Sequence, residues 1–210
     1  MDGIDSIKYI FDNNIEGSIV ECGVEQGTYE DIIIKYLVEK NEVRDIYMYD
    51  TFDGLTKPTL HYYTCNTDYL YQMNNNQVVN EWNKKKKYNN KTSDWCSFPL
   101  EQLQNKLNRY NYKKEKLHYI VGDVMETLNN PNNIPDKIAI LRLDTDFYDS
   151  TKIELHKLYN KVVENGLIIV DDYYHWNGQK LAVDEYLKYI NKIVEIKSLP
   201  NKRTASFIKL

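Results

Sequence analysis

Two short apolar runs stand out in the hydrophobic pattern, Ile138–Leu143 and Leu167–Val170. Continuous apolar runs of this length read as strands buried on both faces of a parallel sheet. Both end in acid: Asp144 follows the first and Asp171-Asp172 the second. In an open α/β sheet, ligands bind at the carboxyl ends of the strands. Upstream, Ile4–Asn13 places Ile4, Ile7, Ile10 and Phe11 on one helical face until Asn13-Asn14 interrupts it. Gly17–Cys22 reads as a strand, and Tyr29–Lys40 as a helix with Ile32, Ile33, Tyr36 and Leu37 on one side. Thr28 is placed to cap that helix, with Asp31 as the acid of a capping box. Asp45–Tyr49 reads as the next strand, ending at Asp50. Strand, glycine turn, helix and strand make a βαβ unit, whose crossover is right-handed.

From Thr56 to Lys116 the period is lost, apart from Glu101–Tyr110 after Pro99, which reads as a short helix. So long a break inside a compact domain is typical of a lid or binding insertion. Beyond it the pattern predicts a strand at His118–Val121, a short helix at Val124–Leu128 and a helix at Ser150–Val163 that Gly166 terminates. A helix at Gln179–Ile190 follows, and Ile193–Leu199 with Thr204–Leu210 form a terminal hairpin. The sum is a doubly wound, Rossmann-like α/β fold with a mainly parallel sheet of seven strands, a C-terminal antiparallel hairpin and an insertion. No repeat or flexible linker divides residues 1–210, so one domain is expected.

Composition narrows the class. The net charge is −4, and Lys84–Lys87 is the one dense basic block, which reads as a solvated loop. Nucleic-acid and membrane-surface binding, which favour a basic excess, are therefore not expected. The three cysteines, Cys22, Cys65 and Cys96, form no CxxC pair, which argues against a disulfide framework or a zinc site. No basic segment followed by a long apolar one opens the chain, and no run approaches the about 20 apolar residues of a spanning helix. A cytoplasmic location is the expectation.

Four constellations carry chemistry. Glu21-Cys-Gly-Val-Glu-Gln-Gly27 sets an acid before a turn with two glycines and a helix N-terminus. It fails the dinucleotide fingerprint GxGxxG, and Glu25 would repel a pyrophosphate. It suits a ligand with a cationic sulfonium and an amino-acid tail, although an ordinary glycine turn would look the same. Asp50, roughly twenty residues further on, is where nucleoside-binding folds place an acid for the ribose hydroxyls. Gly122-Asp123 could meet an adenine amino group or be a plain turn. Asp144, Asp171 and Asp172 would repel one another without a cation, and an all-oxygen set favours Mg²⁺ or Ca²⁺ over zinc. Asp146 and Asp149, past the strand end, are expected to cap the helix that begins at Ser150–Thr151. In Tyr173-Tyr174-His175-Trp176, aromatic rings suit stacking on a flat or sugar-like face, and His175 could act as a base. His61, His118 and His156 have no partner pattern, and no GxSxG elbow occurs.

These residues resemble a known family. Leu141-Arg-Leu-Asp-Thr-Asp-Phe-Tyr-Asp-Ser-Thr151 and Asn165-Gly-Leu-Ile-Ile-Val-Asp-Asp-Tyr173 are similar to segments of the macrocin O-methyltransferases. So are Val20–Val24, Asp50–Leu55, Gly122-Asp123 with Thr127-Leu128, and His175-Trp176 with Ala182-Val183-Asp184. The resemblance implies a class I methyltransferase that uses S-adenosylmethionine and a divalent metal, taken as Mg²⁺, to methylate a sugar hydroxyl on a nucleotide sugar, glycan or glycosylated metabolite. It implies that Asp144, Asp171 and Asp172 bind the metal, with Asp144 also taking the substrate proton. Glu21, Gly23, Gly27, Thr28, Asp50, Thr51, Phe52, Gly122, Asp123 and Asp144 would hold S-adenosylmethionine. His175 would assist catalysis, and Tyr173, His175 and Trp176 would meet a small-molecule or sugar acceptor. A homodimer is compatible with such a fold. The chain departs from the family pattern across Leu60–Ser97 and at Tyr29, where small residues are usual. Catechol-type O-methylation, or cofactor binding without catalysis, are the alternatives.

Overall fold

The apolar runs are strands because both faces of the sheet are covered. A computed structural model describes residues 3–58 and 74–210. Its strands are β1 (Ser18–Cys22), β2 (Ile46–Asp50), β3 (Leu117–Val121), β4 (Ile138–Leu143), β5 (Val162–Val170), β6 (Lys197–Ser198) and β7 (Ala205–Ile208). They form one sheet in the order β3-β2-β1-β4-β5-β7-β6. The first five are parallel, and β7 runs antiparallel to both of its neighbours. From β1 the chain steps outward to β2 and β3 on one side, then crosses to β4 and β5 on the other. The switch point, where a crevice opens in such sheets, therefore lies between β1 and β4.

The helices are α1 (Gly3–Asp12), α2 (Thr28–Lys40), α3 (Asn75–Lys85), α4 (Leu100–Leu107), α5 (Val124–Thr127), α6 (Tyr148–Leu158) and α7 (Asn177–Tyr189). On one face Ile7, Ile10, Ile33, Leu37 and Leu103 pack against Ile19, Met48 and Ile140. On the other, Leu155, Leu158 and Val183 pack against Val20, Leu141 and Ile168. No described helix is long and apolar enough to cross a membrane.

Local chemistry overrides three sequence expectations. Gly27, not Thr28, caps α2: it takes φ 64 and offers no side-chain bond, and Thr28 is already helical. A Cβ at Gly27 would strain the left-handed backbone and lie 2.3 Å from Leu103 Cδ1, so the leucine tip would have to move aside. The helix expected to reach Val163 ends at Leu158, and one tighter turn leads to β5 at Val162. Val162 and Val163 are β-branched and favour the strand. Gly166 consequently lies inside β5 rather than ending a helix. The terminal hairpin is also shorter than expected, pairing only Lys197-Ser198 with β7.

The insertion is structured where it is described; its 59–73 stretch lies outside the described residues. α3, not anticipated from the sequence, is closed by a capping box in which Asn74 accepts from Gln77 N at 3.0 Å and Gln77 Oε1 accepts from Asn74 N at 2.9 Å. Trp82 is 1% exposed and donates from Nε1 to Leu55 O at 2.9 Å. Val78 packs with Phe147 and Trp176 in a third small core. The insertion is thereby fastened over the loops that follow β2, β4 and β5.

Candidate functional site

The site is built where β1, β4 and β5 end side by side. Asp144 N donates to Cys22 O at 2.8 Å, and Asp171 N donates to Leu143 O at 3.0 Å, so parallel pairing continues one residue past each strand. Gly23 turns away at this seam with φ +86, and a Cβ there would lie 2.0 Å from Asp144 O. The turn after it is held from β2. Asp50 Oδ2 accepts from Val24 N at 2.7 Å and Glu25 N at 2.9 Å, and Oδ1 accepts from Phe52 N at 2.7 Å. Asp50 is thus the clamp of the glycine turn, a role the sequence did not disclose; Oδ2 is filled by its two N–H donors, and Oδ1 keeps a lone pair for a ribose hydroxyl.

Four acids, not three, converge beside the turn. Asp144, Asp171 and Asp172 each present an oxygen, and these lie within 4.8 Å of one another. Asp146 joins them in the cavity wall. It was expected to cap α6, but Phe147 holds that position without a side-chain cap and Asp146 turns inward at φ 65. Asp149 does sit in the first turn of α6. Burial, and then the neighbouring Asp172 carboxylate, hold Asp146 well above the usual carboxylate range. Asp144 is raised too, by burial, with Arg142 opposing the rise and Asp171 adding to it.

Two arginines answer this charge, and sequence reasoning singled out neither. Arg142 in β4 pairs with Glu21, with Asp144 Oδ2 at 2.5 Å and with Asp171 Oδ1 at 2.6 Å. Its guanidinium also lies 5.2 Å from the centre of the Tyr29 ring. The signal was available: an arginine inside an otherwise apolar strand, opposite Glu21 once β1 and β4 are in register. Arg203 holds Asp172 Oδ1 through Nε at 3.0 Å and Nη2 at 2.5 Å. Behind Arg142, burial raises both Glu21 and Glu30; Glu30 is 1% exposed. The chemistry of the donor set fits a hard divalent ion: carboxylate oxygens only, clustered, with excess negative charge.

A cavity runs from these acids along the strand ends, lined by Gly23, Asp50, Thr51, Gly122, Asp123 and Asp144 among others. Most of the expected cofactor residues therefore share one space. Asp123 also caps α5, accepting from Met125 N at 2.9 Å. Four expected cofactor residues do not line it. Glu21 and Thr28 face a second cavity, and Phe52 is 7% exposed in the core, edge-on to Tyr119. Gly27 is covered by Leu103. The aromatic loop also departs from expectation. Tyr173 and Trp176 are each 5% exposed, Tyr173 bonds Asp184 at 2.6 Å, and Trp176 anchors the insertion. Neither they nor His175 line the two cavities at the strand ends. Burial lowers the His175 pKa.

Sheet order, crevice and acid-lined strand ends define a class I methyltransferase fold. The solved O-methyltransferase NovP superposes with a TM-score of 0.79 at 22% identity, covering 99% of this chain and 77% of that one. The family model described as Macrocin-O-methyltransferase (TylF) matches residues 4–199, and the chain belongs to that family. Demethyldecarbamoylnovobiocin O-methyltransferase of Streptomyces niveus is 29% identical over 183 residues, 86% of this chain and 62% of the relative. A Streptomyces olivaceus relative, 8-demethyl-8-(2,3-dimethoxy-alpha-L-rhamnosyl)-tetracenomycin-C 4'-O-methyltransferase, is 22% identical over 176 residues, 81% of this chain and 59% of its own length. The chain spans about three fifths of the length of these curated relatives.

Proposed function

We propose that this protein is a Mg²⁺-dependent O-methyltransferase that transfers the methyl group of S-adenosylmethionine to a sugar hydroxyl. One observation carries the reading: the Asp144, Asp171 and Asp172 oxygens cluster at the end of the cavity that Asp50 and Asp123 line. Family membership supports the reaction, and the rhamnosyl group in the name of the Streptomyces olivaceus relative supports the sugar. When bound, S-adenosylmethionine supplies an electrophilic methyl group and Mg²⁺ supplies Lewis acidity to the acceptor hydroxyl. Asp144, Asp171 and Asp172 would hold the metal. Asp50 fixes the Gly23–Gly27 turn that faces the cofactor. Asp144 lies where the two cavities join and receives the hydroxyl proton. The insertion, pinned through Trp82 and Trp176, helps keep water from the reacting atoms.

Purified protein, Mg²⁺ and methyl-labelled S-adenosylmethionine should yield labelled glycoside, and EDTA should stop turnover. Asp171→Asn should lose transfer while still binding S-adenosylhomocysteine. Full activity in that variant removes the metal assignment, and failure of the wild type to bind S-adenosylhomocysteine removes the whole reading.

A further inference from the structure

Arg142 is held from behind by a pair of acids to which the reaction gives no role. Glu21, in β1, is 2% exposed, and Glu30, in the first turn of α2, is buried as deeply. Glu21 Oε1 accepts from Arg142 Nη1. The Glu21 and Glu30 carboxyl groups hydrogen-bond each other. Among the described residues, no N–H or hydroxyl of a third residue donates to Glu21 Oε2 or to either Glu30 oxygen. An ionised carboxylate only accepts, so two carboxyl groups bond each other only when one of them carries a proton.

The groups around the pair supply no other donor. Arg142 spends Nη1 on Glu21 and Asp144 and Nη2 on Asp171. Tyr29 lies beside Glu30 in the sequence, but its hydroxyl is 2.8 Å from Ser6 Oγ. Ser6 gives its own proton to Gly3 O, so the Tyr29 proton goes to Ser6 and not to the acids. Charge leads to the same conclusion. Arg142 brings one positive charge to Glu21, Asp144 and Asp171. A full charge on Glu30 would be a fourth, removed from water and facing Glu21, with Asp50 adding repulsion from further off.

We propose that Glu30 is a positioning residue: as a neutral carboxylic acid it shares its proton with Glu21, and so fixes the carboxylate that anchors Arg142 against Asp144 and Asp171. Glu21 then commits one oxygen to Arg142 and the other to Glu30. Without that proton Glu21 is a full carboxylate with an unsatisfied buried oxygen. It draws the guanidinium toward β1 and away from Asp144 and Asp171, the acids nearest the reacting hydroxyl. The effect on rate rests on the methyltransferase reading above; the shared proton does not.

Infrared difference spectra between the wild type and Glu30→Gln read the proton directly, in EDTA at about pH 7, where an ordinary glutamate is ionised. The wild type should show the carbonyl band of one un-ionised carboxylic acid that the variant lacks; Glu154 and the strand-end aspartates are present in both and cancel. Transfer from methyl-labelled S-adenosylmethionine reads the positioning. Glu30→Gln still donates to Glu21 and should keep kcat within about threefold, whereas Glu30→Leu, which has no donor, should lose about tenfold or more. KM for S-adenosylmethionine should change by less than about twofold in both variants, because Arg142 acts on the acids and not at the Asp50 end of the cavity. Folding of each variant is checked by its melting temperature, and if Glu30→Leu does not fold, the infrared band and the rate of Glu30→Gln decide. An unchanged carboxylic-acid band, Glu30→Gln slowed about tenfold or more, or a folded Glu30→Leu with the kcat of the wild type would overturn the proposal. A wild type that transfers no methyl group is a different result: it sinks the methyltransferase reading, and the infrared band alone then decides whether the proton is shared.

Discussion

Replacing Arg142 by methionine tests the electrostatic design of the site most directly. The Arg142 side chain is 15% exposed, so its charge is largely removed from water. Burial alone would lower its pKa; Asp144, Glu21 and Asp171 overcome that and hold it well above the usual value. Methionine keeps the stem over Tyr29 but leaves three carboxyls facing one another. Removing one partner of a buried ion pair costs about 3–5 kcal/mol. Glu21 can shed its charge by taking a proton, so we expect the lower end, about 3 kcal/mol, for Arg142→Met in EDTA. Mg²⁺ should then behave asymmetrically. Arg142 Nη1 and Nη2 occupy oxygens of Asp144 and Asp171, the same residues that would hold the ion. Without the guanidinium the ion meets less competition and relieves more repulsion. A ligand at a hundredfold excess over its Kd stabilises the folded state by about 2.7 kcal/mol. Urea unfolding followed by tryptophan fluorescence, in EDTA and in millimolar Mg²⁺, measures both quantities. The variant should lose about 3 kcal/mol in EDTA and regain more from Mg²⁺ than the wild type gains. A loss of about 1 kcal/mol or less, the scale of an exposed pair, or an equal Mg²⁺ gain in both proteins, would refute the reasoning.

Two further predictions concern the frame of the site. Gly23→Ala puts a Cβ 2.0 Å from Asp144 O at φ +86, so it should cost more than about 3 kcal/mol in urea unfolding and abolish S-adenosylhomocysteine binding; a variant of wild-type stability would contradict the tight seam between β1 and β4. Glu154 is fully buried, accepts from Thr145 Oγ1 at 2.8 Å, and burial pushes its carboxyl up to about 8 from 4.5. The folded state therefore keeps a proton that the unfolded chain releases. The resulting stability is complete below pH 4.5 and is lost as pH rises through about 8. The unfolding free energy should fall between about pH 5 and pH 8, by no more than about 4 kcal/mol, and Glu154→Gln should flatten that slope; an unchanged slope in the variant would assign it to other groups.

Strand β4 and the Leu167–Val170 half of β5 were legible in the sequence because each is a local, continuous apolar run. The expected bounds of β4 match the structure, those of β2 differ by a residue at each end and those of β3 by a residue at one. The acids at the tips of β4 and β5 were legible for the same reason. α3 was missed although its signals were present, the Asn74–Gln77 capping box and the Val78 to Trp82 spacing. In a stretch so rich in asparagine, turn and cap residues look alike. What the sequence could not determine is which residues a long-range register would bring together. Arg142 meets Glu21 across 121 positions and Asp171 across 29. Trp176 is drawn to Val78 by packing. Asp146 turns inward because its backbone takes a left-handed conformation at the mouth of α6. Local pattern thus determined the elements and the acids they carry. Strand register and side-chain packing decided that two arginines stand among those acids, that the aromatic loop serves the insertion, and that a second acidic cavity lies beside the first. These are contacts between distant residues, and no local pattern encodes them.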